Sequence, residues 1–329
     1  MNNMRLPNLI YLEPKTIEEL TEIKKELGSQ CAILAGGTDL IPMLKRRNIS
    51  TKYLVNIKRI QDLTEISYEG EKGLRIGAAV TLRNIIDHSV VSESYSILGQ
   101  AARSVAFNQL RNMGTLGGNI CLDSKCTYYN QSEFWWKSRL DCFKRGGNVC
   151  YVVKGGKQCF GLSAADTVSA LIALEAELII AGLGQQRRIL VETFYTGDGR
   201  KPHQMGEDEV VTAVLIPPAV KGWKEGFLKK SYRGTIDFAI ASLSLRLKGS
   251  AEAIENIRIA LNGVSTMPIR AKQAEIFLIG KRISDKTLNE AIRVIVEETS
   301  PLSLVGSSAF MRRKMIEVMF TDLIESVKH

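Results

Sequence analysis

Ile17, Leu20, Ile23 and Leu27 fall on one face of a helix, with polar residues between them. Thr16, with Glu19 three positions on, forms the capping-box pattern that starts such a helix, and Gly28 closes it. The apolar run 31–34 predicts a strand. It leads into Ala35-Gly36-Gly37-Thr38-Asp39-Leu40, after which Leu40, Ile41 and Leu44 restore a helical pattern. Residues 53–57 and 74–79 predict further strands, Thr81 caps a helix through Leu82, Ile85 and Ile86, and 97–110 predicts one continuous helix. Later, 164–174 predicts a helix, which Asp166 could cap, and 176–180 and 210–216 predict strands. Pro217-Pro218 marks a domain boundary. Beyond it come strands at 227–232, 238–247 and 254–261, then helices at 271–279, 286–297 and 310–327.

Between 121 and 160 this periodicity vanishes. Tyr128, Tyr129, Phe134, Trp135 and Trp136 crowd together there, which argues against disorder, and a long irregular segment inside a domain points to function. Five of the six cysteines lie in it: Cys121 at its start, then four spaced Cys126-x15-Cys142-x7-Cys150-x8-Cys159. Thiolates in this number hold zinc or an iron–sulfur cluster. Structural zinc prefers ligand pairs two to four residues apart, whereas wide, uneven loops suit a cubane in which each cysteine meets a different iron. Cluster, zinc and unligated cysteines all remain open on spacing alone. Lys125, Lys137, Arg139, Lys144, Arg145, Lys154 and Lys157 outnumber Asp123, Glu133 and Asp141 there. That excess could offset a thiolate cluster, face an acidic redox partner, or simply be solvated. Cys31, in an apolar run apart from the others, reads as a core residue.

Two glycine stretches stand out. Strand, glycine turn and helix around Gly36-Gly37 is an arrangement that points backbone N–H groups at a phosphate, although it matches neither the Rossmann fingerprint nor a Walker loop. Gly114-Thr115-Leu116-Gly117-Gly118-Asn119 holds three glycines, a hydroxyl and an amide within six residues, an entropic cost that a ligand or a close backbone approach would explain. Two such loops favour one extended ligand with a central pyrophosphate.

With 329 residues the chain can bury a sizeable core. Its longest apolar runs fall short of the roughly 18–20 residues of a membrane span. The N-terminus carries no signal-peptide pattern, so the expected location is cytoplasmic, where clustered cysteines serve metal or redox chemistry more often than disulfides. The formal charge of +9 is scattered, and no nucleic-acid module accompanies it.

The two glycine stretches, Asp166 before a Leu-rich helix, and Lys229-x3-Arg233-x3-Asp237-Phe238-Ala239 together resemble the FAD-binding subunit of the xanthine oxidase family of molybdenum hydroxylases. The cysteine insert and Tyr128-Tyr129-Asn130-Gln131-Ser132-Glu133 resemble, within that family, the β-subunits of 4-hydroxybenzoyl-CoA reductases. The resemblance implies an α+β fold. A two-part FAD-binding domain of the PCMH / vanillyl-alcohol-oxidase-like type would span 1–218, with subdomains 1–57 and 58–218 and an iron–sulfur insert at 121–160. A C-terminal α+β domain, an antiparallel sheet with helices, would span 219–329.

The same resemblance implies that Ala32, Ile33, Leu34, Ala35, Gly36, Gly37, Thr38 and Asp39, with Thr115, Leu116, Gly117, Gly118 and Asn119, hold FAD. Asp123, Asp166 and Lys229 would lie along the same flavin. Cys126, Cys142, Cys150 and Cys159 would ligate a [4Fe–4S] cluster, with Cys121 outside the set. Where many members have a proline before the aspartate, this chain has Gly161-Leu162-Ser163-Ala164-Ala165. The implied partners are a molybdenum large subunit and a [2Fe–2S] small subunit in a heterotrimer, itself dimerised, and a ferredoxin-like donor. The implied function is electron relay toward reductive dehydroxylation of an aromatic acyl-CoA. A related hydroxylase passing electrons outward to NAD or a quinone is the alternative.

Overall fold

The computed structural model describes residues 5–304 and 306–327; part of the N-terminal segment read above, Met1 to Met4, lies outside them. Three sheets organise the chain. The first is parallel, in the order β1-β3-β2, from β1 (Ile10–Leu12), β2 (Cys31–Leu34) and β3 (Tyr53–Asn56). Helix Ile17–Leu27 joins its first two strands. Thr16 Oγ1 accepts from the Glu19 N–H at 3.1 Å, while the Glu19 carboxylate reaches back to the Lys15 N–H at 2.7 Å. Leu20, Val55, Ile57 and Ile60 form the core beneath it.

The second sheet is antiparallel, in the order β4-β5-β8-β6-β7. Its strands are β4 (Ile66–Glu69), β5 (Gly73–Gly77), β6 (Glu177–Gly182), β7 (Gln185–Leu190) and β8 (Val210–Ile216). The third, also antiparallel, runs β12-β11-β10-β9, from β9 (Trp223–Lys230), β10 (Ala241–Gly249), β11 (Ile254–Asn262) and β12 (Ile269–Arg270). Leu243, Leu245 and Leu247 of β10 join a core with Ile316, Met319 and Phe320 of helix Ala309–Val327. The alternate positions face the opposite way, where Ser244 Oγ meets Ser169 Oγ of helix Val168–Ala173 at 2.9 Å. That short helix is buried at all six positions, packs on the third sheet and shares a core with residues of the second.

The structure corrects three expectations. The helix predicted over 97–110 is broken: Ser96–Arg103 and Asn108–Arg111 flank a turn in which Ala106 takes φ 43°. The second glycine stretch is not all loop, because Leu116–Ile120 is helical, capped by Thr115 Oγ1 accepting from the Gly118 N–H at 3.1 Å. Asp166 caps nothing, since Thr167 is the N-cap of helix Val168–Ala173 and makes no side-chain capping bond. Strand β7, Gln-Gln-Arg-Arg-Ile-Leu, was invisible to the pattern because it is a polar sheet edge, which natural sheets charge to deter further pairing. Among the described residues, no helix is long and apolar enough to cross a membrane.

Candidate functional site

The two glycine stretches meet. Gly36 lies so close to the second that a Cβ on it would stand 2.1 Å from the Met113 carbonyl oxygen. Gly37, at φ 70°, makes the left-handed turn into helix Leu40–Lys45, a conformation glycine adopts without the Cβ penalty. The second stretch is stitched to the turn after β5 by hydrogen bonds from Leu82 N to Gly114 O (2.8 Å), Leu116 N to Val80 O (2.9 Å) and Gly117 N to Ala78 O (2.9 Å). A Cβ on Gly117 would press within 2.7 Å of the Ala78 Cβ.

Together they wall a cavity of about 460 Å³. Ile33, Ala35, Gly36, Gly37, Thr38 and Asp39 line it from one side, and Thr115, Gly117, Gly118, Asn119, Asp123 and Asp166 from the other. Strand alternation explains two of the candidates outside this lining: Ile33 faces the cavity, so Ala32 and Leu34 face away. Leu116 is fully buried in the core instead. Lys229 reaches the site through Asp166, donating from Nζ to Oδ2 at 2.6 Å and to the Ser104 carbonyl at 3.0 Å.

Asp166 is the most informative polar group. It lies on the cavity wall with its side chain 4% exposed, yet Oδ1 is buried with no hydrogen-bond partner. Burial pushes its carboxyl up to about 6, against the pull of the Lys229 ammonium. An apolar cavity with a few convergent polar groups and an unused carboxylate acceptor fits an elongated ligand carrying hydroxyl and N–H donors. The site therefore fits FAD. Asn119 is held in place by its Oδ1, which accepts from Thr167 N at 3.1 Å and Thr167 Oγ1 at 2.7 Å.

A second, smaller cavity lies in the insert. Cys126, Cys142, Cys150 and Cys159 all line it, with Tyr128, Tyr129, Phe143 and Lys144 among the other walls. All six cysteines are free thiols, and Cys121 lies on the large cavity instead. Burial raises the Cys126 and Cys159 thiols, the latter to about 11, while the backbone N–H groups of Tyr128 and Tyr129 beside the first and of Gly161 beside the second pull the other way. N–H groups aimed at sulfur favour the thiolate that a soft metal requires. Among the described residues, no group of three His, Cys, Asp or Glu is arranged to hold a single metal ion. The four thiols around one shared void are the candidate ligand set for a soft metal or an iron–sulfur core.

The insert is fixed at its neck and by its aromatics. Lys125 and Leu162 exchange backbone hydrogen bonds at 2.8 Å in both directions. Tyr129 stacks on Trp136, whose indole N–H donates to the Tyr129 carbonyl at 3.1 Å, and Arg139 lies 3.9 Å from the Trp135 ring centre. Two partly buried ion pairs then join the cavities. Lys125, next to Cys126, donates to Asp39 Oδ1 of the first glycine loop at 2.6 Å, and Lys144 of the insert donates to Asp123 Oδ1 at 2.5 Å. Of the basic excess in the insert, these two lysines turn inward, while Lys154 and Lys157 stay exposed.

Sequence reasoning did not find the cavity-lining Met43, Leu110, Cys121, Leu122 and Ile236, and it named Phe238 only within the motif that carries the resemblance. Cys121 and Leu122 had a usable signal, lying directly between Asn119 and Asp123. Ile236 had none: its φ of 64°, rare for a β-branched residue, is visible only in the backbone.

Residues 3–219 match a protein family described as the FAD binding domain in molybdopterin dehydrogenase. Residues 226–327 match the CO dehydrogenase flavoprotein C-terminal domain. The chain is 27% identical over 321 residues to the glyceraldehyde dehydrogenase medium chain of Sulfolobus acidocaldarius, covering 98% of this chain and 99% of that one. It is 26% identical over 295 residues to the carbon monoxide dehydrogenase medium chain of Hydrogenophaga pseudoflava, covering 90% and 88%. A solved structure of carbon monoxide dehydrogenase from the latter organism superposes with a TM-score of 0.81 at 25% identity, over 98% of each chain.

Proposed function

The chain belongs to the family of FAD-binding subunits of molybdenum hydroxylases, and on that premise we propose that it is an electron-relay subunit with a second redox centre in its cysteine insert. The observation that carries this reading is the pair of adjoining cavities, one fitted to FAD and one lined by Cys126, Cys142, Cys150 and Cys159, bridged by two partly buried ion pairs. FAD would lie between the glycine loops, with Ile33, Ala35, Gly36, Gly37, Thr38, Asp39, Thr115, Gly117, Gly118, Asn119 and Asp123 around it and Asp166, set by Lys229, accepting from it. The four cysteines would hold a [4Fe–4S] cluster. That part of the reading rests on this chain's own thiols, since the family match speaks for FAD alone.

On the same reading, residues 1–218 form the FAD-binding domain and 219–329 a C-terminal domain. The medium-chain relatives support assembly with a molybdenum large subunit and an iron–sulfur small subunit. FAD supplies the ability to exchange electrons singly or in pairs. The protein would take electrons from a ferredoxin-like donor for reductive dehydroxylation of 4-hydroxybenzoyl-CoA or a similar substrate on the large subunit. A second reading, favoured by relatives that are named dehydrogenases, runs the same relay outward to NAD or a quinone. Reduction of the complex by reduced ferredoxin but not by NADH supports the first direction; the reverse supports the second.

Iron, sulfide, zinc and flavin analysis of anaerobically purified protein tests the cofactor set. The expected result is about four iron, about four sulfide and about one FAD per chain. FAD with zinc, or with no metal, refutes the cluster and leaves an ordinary flavin subunit with a structural loop.

A further inference from the structure

We propose that Lys144 is a positioning residue that raises the electron affinity of the centre held by the four cysteines. This inference rests on the reading that those cysteines hold an iron–sulfur cluster. Lys144 lines the cysteine cavity, and its side chain is only 6% exposed. Its ammonium is fixed by three oxygens: Asp123 Oδ1 at 2.5 Å, Ser124 Oγ at 2.8 Å and the Gly199 carbonyl at 2.6 Å. Each belongs to a different part of the site. Asp123 lines the flavin cavity, and Gly199 packs so tightly on the cluster side that a Cβ there would lie 2.7 Å from Cys159 Sγ. Ser124 joins the two, donating to the Gly199 carbonyl at 3.0 Å. The Gly199 N–H in turn donates to the Cys159 carbonyl at 2.9 Å.

The ion pair is therefore oriented, with its positive end on the cysteine cavity and its negative end on the flavin cavity. The Lys144 end is shielded from water, so its field is little screened, whereas Asp123 is 29% exposed and its field is weakened by solvent. Reduction adds one electron, and so one negative charge, to a cluster already surrounded by thiolates. A fixed ammonium on the cavity wall stabilises that added charge. Asp123 opposes it from farther away. Removing either charge then moves the cluster potential in opposite directions, which a simple structural clamp does not do.

The experiment is an anaerobic potentiometric titration of the intact protein with dithionite, followed by electron paramagnetic resonance of the reduced cluster, with iron and FAD measured on each sample. Lys144→Met is expected to shift the reduced-to-oxidised ratio at fixed potential about tenfold toward oxidised, about 59 mV more negative for one electron. Asp123→Asn is expected to shift it positive, Lys144→Arg to restore the parent value, and Lys157→Gln, a solvated charge on the same insert, to leave it in place. Shifts of the same sign in Lys144→Met and Asp123→Asn, or no shift in iron-loaded samples, overturn the inference while leaving the cluster standing. Parent protein without iron overturns the inference and the cluster together. If Lys144→Met does not fold, Asp123→Asn decides alone: a positive shift supports the proposal, and anything else overturns it.

Discussion

The unpaired Oδ1 of Asp166 makes FAD binding sensitive to pH in a calculable way. In the unliganded chain, burial holds this carboxyl at about 6 rather than near 4, even with Lys229 beside it. The donors a flavin can offer, ribityl hydroxyls and a ring N–H, need an acceptor, so bound FAD favours the ionised form and returns the group toward its ordinary range. Binding then releases a proton whenever the solution is below about pH 6, and affinity is lost as pH falls through that value. At pH 5 the free site is about nine-tenths protonated at this position, so affinity falls about tenfold from its neutral value, about 1.4 kcal/mol. Folding runs the other way for the unliganded chain: a carboxyl raised in the folded state contributes stability below about pH 4 and loses it as pH rises through about 6. The assay is flavin fluorescence quenching on deflavinated protein between pH 7.5 and 5. Asp166→Asn, which keeps an acceptor but cannot titrate, should bind FAD more weakly at neutral pH and lose most of the pH dependence. Equal slopes in parent and variant would refute the assignment of Oδ1 to the flavin.

Two further substitutions probe the cavities separately. Cys142→Ser and Cys150→Ser should each lose the cluster iron while keeping FAD, because neither residue lines the large cavity; retention of the full iron content in both would show the ligand set to be wrong. Gly36→Ala places a methyl on the Met113 carbonyl and forces the two glycine stretches apart. Such overpacking costs about 1–3 kcal/mol or more, so the variant should be purified with little FAD and a lowered Tm, and normal flavin content in it would contradict the close approach.

Much of the fold could be read from residues whose local preferences agree with their surroundings. Thr16, Glu19 and Gly28 bound their helix as the pattern requires, and 210–216 is a strand with six of its seven residues buried. What could not be read was set by tertiary context. The helix expected over 97–110 breaks at Ala106, whose left-handed backbone no alanine pattern announces. Strand β7 is polar because it is an edge. In the site, Gly36 and Gly117 were legible because a close backbone approach admits no side chain, and the four cysteines because their residue type is rare and clustered. Lys125 and Lys144 were visible only as members of a basic excess. That they turn inward to Asp39 and Asp123, while Lys154 and Lys157 do not, depends on pairing between segments far apart in sequence.

The insert's place in the chain carries a mechanistic consequence independent of its detailed path. Asp123 lies on the flavin cavity and Cys126 on the cysteine cavity, with only two residues between them. A chain extends at most about 3.6 Å per residue, so these two Cα atoms cannot be more than about 11 Å apart in any conformation. At the far end of the insert, Cys159 and Asp166 are seven positions apart and again touch one cavity each. The covalent chain thus holds both ends of the insert against the flavin site, and the Asp39–Lys125 and Asp123–Lys144 pairs fix its orientation there. A loop serving only to dock a partner needs no such tether to the flavin wall, nor partly buried lysines turned toward it. If the four cysteines hold a cluster, as proposed, proximity of that centre to the flavin is the property this arrangement secures. On the proposed reading, the chain's contribution to the reaction is the spacing and relative potential of the two centres.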